Sequence, residues 1–154
     1  MRNNHAVDAI DHAIITQLRR DGRCTIQDLA SRVGLTPAPC LRRVRRLESS
    51  GVIAGYGARI DPSAVGRGFE VIVHAEIAAK DLATVQAFEE RVAAMDEVVE
   101  LRRMFGLPDY ILRVRVADAP AYERWLTTRL LGDSAIARVD SRITMKLIKL
   151  EAGS

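Results

Sequence analysis

Two cysteines are all the chain contains. Cys24 and Cys40 match neither the spacing of a metal knuckle nor that of a redox pair, so both read as small apolar residues. Aromatic residues are only 5% of the sequence, too few for the paired rings that stack bases on an RNA-reading sheet. No apolar run approaches the roughly 18 residues of a membrane span. The opening stretch MRNNHAVDAIDHAIITQL lacks the continuous apolar core and cleavage site of a signal peptide, so a cytoplasmic location is expected. There is no glycine-rich phosphate loop, metal-ligand cluster or nucleophile motif. His5, His12 and His74 are scattered, and His74, between Val73 and Ala75, reads as a structural histidine on a strand. An enzyme is therefore not expected, nor a cofactor or metal. Lysine is absent from the first 59 residues, although ten arginines stand there.

What is present describes a folded protein of 154 residues, 48% hydrophobic and 28% charged. The charge is unevenly spread. Residues 1–59 hold ten Arg against five acids, a net of +5; the remaining residues hold thirteen basic and fifteen acidic groups, a net of −2. A polyanionic partner would meet the first third.

Asp8 can cap a helix with the apolar stripe Ile10, Ile14, Ile15 and Leu18, ended near Gly22, which suits a left-handed residue. Thr25 and Asp28 form a capping signal for a short helix with Ile26, Leu29, Ala30 and Val33 inward. Thr36 caps a third helix, with Pro37 at its first position and Gly51 at its end. The sequence VGLT joins the second and third helices in a tight helix–turn–helix. GVIAGYGARID reads as a short β wing followed by a linker strand. DPSAVGRG, residues 61–68, is the expected boundary.

The rest alternates strand, helix, strand, strand, helix, strand. Leu82, Val85, Phe88, Val92 and Met95 line the first of these helices; Asp118 caps the second. The last strand is expected over 136–150, with Ile143, Met145 and Leu147 alternating against Arg142, Thr144 and Lys146. The expected class is α+β: a winged helix–turn–helix over 1–60, a linker, and a ferredoxin-like βαββαβ unit over 69–154.

The third helix carries the strongest signal. At about 100° per residue, Cys40, Leu41, Val44 and Leu47 form its inward stripe, and Arg42, Arg43, Arg45 and Arg46 share an arc of about 160° opposite. The only acid in the helix, Glu48, lies outside that arc. Exposed helices ordinarily mix signs, whereas Arg42 and Arg46 are a like-charged i,i+4 pair that phosphates would relieve. The second helix of a helix–turn–helix enters the major groove with its N-terminal end at base edges. The candidate DNA-binding residues are Thr36, Pro37, Ala38, Pro39, Arg42, Arg43, Arg45 and Arg46, and the expected partner is double-stranded DNA.

The segments DxxDxxII (8–15), DGRCTIQDLASRVGLTPAPCLRRVRRLESSGVIAGY (21–56) and FGLPDYILRVRVAD (105–118) resemble the Lrp/AsnC family of transcriptional regulators. That resemblance implies a second domain that binds an effector, an amino acid, and that oligomerises through its sheets as dimers, often gathered into octamers. Many members carry two acids in a Gly-Asp-x-Asp loop; here the loop is Gly106-Leu107-Pro108-Asp109-Tyr110, with the first acid replaced. The expected effector site comprises Met104, Phe105, Gly106, Leu107, Pro108, Asp109 and Tyr110, with Thr144. Backbone N–H groups at Gly106 suit a carboxylate, and Asp109 suits an ammonium group. The residues alone favour a plain Gly-Pro turn with Asp109 bonded inside it, and the family resemblance brings the effector reading level with it. An architectural DNA-binding protein without an effector is the alternative.

Overall fold

The computed structural model describes residues 6–149, and the chain divides into two compact units, the first running to Arg59 and also taking in Lys149, the second spanning Ile60–Ile148. In the first, α1 (Ala9–Arg20), α2 (Ile26–Arg32) and α3 (Pro37–Ser49) enclose Ile14, Leu29, Ala30, Cys40, Val44 and Leu47. Local chemistry sets the boundaries. Asp8 accepts the Asp11 amide while the Asp11 carboxylate accepts the Asp8 amide, a complete capping box. Thr25 Oγ1 accepts the Asp28 amide. Gly34 and Gly51 take φ of 71° and 76°, and so end α2 and α3 in a conformation that side chains resist. Gly22 is not left-handed; α1 ends instead with the Asp21 amide bonded to the Gln17 carbonyl.

The expected β wing and linker strand are absent. Residues 52–60 form no strand among the described residues, because a strand needs a laddered neighbour and this stretch meets none. It folds back on α3 instead: the Ile53 amide donates to the Leu47 carbonyl, and the Tyr56 hydroxyl donates to Glu48 Oε1 at 2.9 Å.

In the second unit, β1 (Phe69–Ile77), β2 (Val98–Arg103), β3 (Tyr110–Val116) and β4 (Ile136–Ile143) form an antiparallel sheet in the order β2-β3-β1-β4. The helix α4 (Leu82–Ala93) and the helix α5 (Ala119–Trp125), which continues as a π-helical turn over Leu126–Leu130, cover one face. Period-two alternation drives Val71, Val73, Ala75 and Ile77 of β1, and Tyr110, Leu112, Val114 and Val116 of β3, into that core. Leu82 is exposed, since it opens the first turn of α4 beside its cap Asp81.

The last strand stops at Ile143. Val71 pairs with Ile143, and β1 begins two residues earlier, so β4 runs out of partner. Met145 and Leu147, beyond the ladder, are exposed, and so is Ile143 at its last rung. Residues 1–5 and 150–154, at the outer ends of the two expected units, lie outside the described residues, as do His5 and the expected end of β4 at Leu150.

The face of the sheet away from the helices carries several ion pairs. Arg115 meets Glu70 at 2.8 Å, Arg113 meets Glu100 at 3.0 Å, and Arg142 meets Asp140 at 3.0 Å.

Candidate nucleic-acid interface and effector pocket

The third helix presents its arginines in two pairs with different fates. Arg43 Nη1 donates to Asp8 Oδ2 at 2.6 Å and to Asp11 Oδ1 at 2.8 Å. Arg46 Nη2 donates to Asp11 Oδ2 at 2.5 Å. Asp11 is fully buried, and both its oxygens are occupied. The Arg43 guanidinium holds the Asp8 carboxyl below the usual carboxylate range, and Asp8 in turn raises Arg43. The one-signed arc is therefore not free along its length: α1 supplies the carboxylates that α3 lacks. Arg43 and Arg46 bind α3 to α1. Arg42 and Arg45 are exposed and make no hydrogen bond or ion pair among the described residues. The N-terminal end of α3 is open, with Thr36, Pro37 and Ala38 exposed and Pro39 half-buried. Thr36 occupies the cap position without a side-chain cap bond, so its hydroxyl is not committed to the helix.

In the sheet unit, a cavity of about 260 Å³ opens beside the β2–β3 loop. Of the loop residues expected at an effector site, it is lined by Met104, Phe105, Gly106, Leu107, Asp109 and Tyr110, together with Ile77, Lys80, Val85 and Arg103. Pro108, which follows a cis peptide bond, does not line it. Gly106 has φ of 109°, which only glycine adopts easily. Asp109 is not an open carboxylate: the Ile77 amide donates to its Oδ2 at 3.0 Å, and Lys80 Nζ donates to its Oδ1 at 2.5 Å. The Lys80 ammonium, then the Ile77 amide, hold Asp109 below the ordinary carboxylate range. Tyr110 is buried and donates its hydroxyl to Glu89 at 2.8 Å; burial and that acid push its pKa up to about 12.

Thr144 is not brought to this loop. Its hydroxyl donates to Glu70 at 3.0 Å, near the start of β1, while the cavity adjoins Ile77 at the end of β1. The intervening strand is about 20 Å long at ~3.3 Å per residue. Lys80 and Arg103 were not foreseen as pocket residues. Only the pairing of Ala75 with Tyr110 in the β1–β3 ladder shows that Lys80 follows the strand end facing the loop.

Two family matches divide the chain as its two units do. Residues 7–54 match winged helix–turn–helix DNA-binding domains, and residues 70–153 match the Lrp/AsnC ligand binding domain. The chain belongs to the Lrp/AsnC family of transcriptional regulators. Among its relatives is a leucine-responsive regulatory protein of Haemophilus influenzae, 36% identical over 96% of this chain and 89% of that protein. A Bkd operon transcriptional regulator of Pseudomonas aeruginosa is 37% identical over 95% of each. The crystal structure of a Neisseria meningitidis transcriptional regulator in complex with L-methionine superposes with a TM-score of 0.90, at 29% identity over 95% of this chain and 94% of that one. Like those relatives, this Lrp/AsnC member joins a DNA-binding unit to a ligand-binding unit. No helix among its described residues is long and apolar enough to cross a membrane.

Proposed function

We propose that this Lrp/AsnC regulator reads double-stranded DNA with the open end and outer arginines of α3, and that a small effector of amino-acid size at the 104–110 loop alters that binding or the protein's assembly. The observation that carries the DNA reading is the pairing pattern of α3. Arg43 and Arg46 are committed to Asp8 and Asp11, whereas Arg42 and Arg45 stand exposed without partners on the same helix. Guanidinium groups left in water can neutralise phosphates or fork onto a guanine edge. The small residues Thr36 and Ala38 let the backbone approach the groove.

The effector reading rests on a cavity of about 260 Å³ with cationic and apolar walls, too small for a drug-sized molecule and suited to an amino-acid-sized one. One recognition helix spans only a few base pairs, so the functional unit is at least a homodimer with half-sites about 34–36 Å apart or multiples of that. A second copy would cover the exposed Ile143, Met145 and Leu147 beside the paired sheet face. The resemblance to the family extends this to an octamer.

Anisotropy titrations with duplexes selected from genomic DNA, with and without added amino acids, test the whole reading. Affinity should favour the selected duplexes, fall steeply with salt and shift with an effector. Equal affinity for every sequence and no response to any amino acid would instead make the protein architectural. Sedimentation that finds only the 17.0 kDa chain at micromolar concentration would remove the dimer.

A further inference from the structure

The cavity beside the 104–110 loop already contains an ammonium group, supplied by the protein. Lys80 Nζ sits 2.5 Å from Asp109 Oδ1, and the other oxygen of Asp109 is held by the Ile77 amide. Among the described residues Asp109 is the only acid lining the cavity, and position 107 is a leucine. Two cations, Lys80 and Arg103, therefore face one carboxylate. Arg103 is the less engaged of the two: its nearest carboxylate, Glu89, is 3.6 Å away and already accepts the Tyr110 hydroxyl. The remaining wall is largely apolar.

A free amino acid brings a carboxylate, an ammonium group and a side chain. The carboxylate has a partner in Arg103, and the side chain has apolar neighbours in Val85 and Leu107. The ammonium has none. It must either displace Lys80 from Asp109 or lie beside two like charges with no carboxylate of its own, and that repulsion counts against it. An α-keto acid has the same carboxylate and side chain. At the α-carbon it carries a carbonyl oxygen instead, which accepts a hydrogen bond from the Lys80 ammonium where it already lies.

We infer that the cavity selects an apolar α-keto acid over the corresponding amino acid, and that Lys80, by occupying Asp109, is the residue that sets this choice. The inference rests on the reading of the 104–110 loop as the effector site. Two lines of charge bookkeeping agree on it: the missing acid at 107 removes one ammonium acceptor, and Lys80 consumes the other.

Calorimetric titration of the full-length protein with two matched pairs, L-leucine and L-methionine each against its own α-keto acid, tests it. The keto acid should bind at least about tenfold more tightly in both pairs. Lys80→Met frees Asp109 and should invert the order, strengthening the amino acid and weakening the keto acid. Leu107→Asp restores an acid without touching the Lys80–Asp109 pair and should move the preference the same way. An amino acid that binds wild type as tightly as its keto acid, or an order unchanged in both variants, overturns the inference while leaving the effector reading in place. If neither member of either pair binds, the effector reading falls and this inference with it.

Discussion

The two units use arginine in opposite ways. On the sheet, Arg113, Arg115 and Arg142 each lie against a carboxylate of the same unit. On α3, two of four arginines are closed in the same manner and two are left open. A count of charges cannot separate these uses, because the residue type is identical; the partner decides. Paired arginines are architecture, with their charge spent inside the fold. Unpaired ones keep their charge for something outside it, and among the described residues Arg42 and Arg45 are two such groups on the second helix of a helix–turn–helix, the element that enters the major groove in such motifs.

Removing the open pair should produce the largest effect. Arg42→Ala with Arg45→Ala is expected to weaken binding to a selected duplex by about 10²–10⁴-fold, from about 1–3 kcal/mol per base-edge contact, and to relax the preference for it over other sequences. The melting curve should barely move. Retention of wild-type affinity by the double variant would show that the exposed pair does not meet DNA.

Breaking the closed pair should do the reverse. Asp11→Ala removes the buried carboxylate that both Arg43 and Arg46 engage, along with half of the capping box. We expect a loss of about 1–3 kcal/mol in urea unfolding of the helical unit, below the full cost of a broken buried pair because both guanidinium groups reach solvent. Any DNA defect should then track the unfolded fraction.

A closed arginine in the other unit calibrates the scale. Arg91 forks onto Asp133 through Nε and Nη2, both at 2.9 Å, and is half-exposed. Arg91→Ala should cost about 0.5–1 kcal/mol in the same assay and leave DNA affinity unaltered.

The smallest effect is alkaline. The Tyr110 phenol is raised to about 12 in the folded protein, so its contribution to stability is complete below the ordinary phenol value of about 10 and fades as the pH climbs through about 12. Following tyrosinate absorbance in wild type and Tyr110→Phe should show the missing titration in that upper window. A Tyr110 that ionises near 10 in the folded state would contradict its burial beside Glu89.

The features legible in the sequence were those set by near neighbours along the chain. Asp8, Thr25 and Asp118 stand at the helix starts, where each side chain accepts a backbone amide three residues on. The alternation of Leu112, Val114 and Val116 against Arg113 and Arg115 announced the buried face of β3, whereas β1 read only as a strand of mixed character. What stayed hidden depended on tertiary partners. The arc of Arg42, Arg43, Arg45 and Arg46 looked uniform because Asp8 and Asp11 lie more than thirty positions away. Asp109 looked available because Lys80 meets it only across the β1–β3 register. The wing residues 52–60 and the strand beyond Ile143 had the right composition but no laddered neighbour. Spacing did hold one hint: Asp8 and Asp11, like Arg43 and Arg46, are three apart, so that two turns of α1 and α3 can meet pair to pair.

The central strand of the sheet has a consequence for how the protein comes into being. β1 lies between β3 and β4, and its pairing of Val71 with Ile143 closes a loop of about seventy residues. During synthesis from the N-terminus, α1, α2 and α3 can pack as soon as their own residues have left the ribosome, since the core they enclose lies upstream of Ile60. The sheet must wait until nearly the whole chain has emerged. Each molecule thus acquires its DNA-reading unit first and its ligand-binding unit last. Until then the unpaired edge of β1 stands open, and truncated chains ending before Ile136 are the ones expected to aggregate.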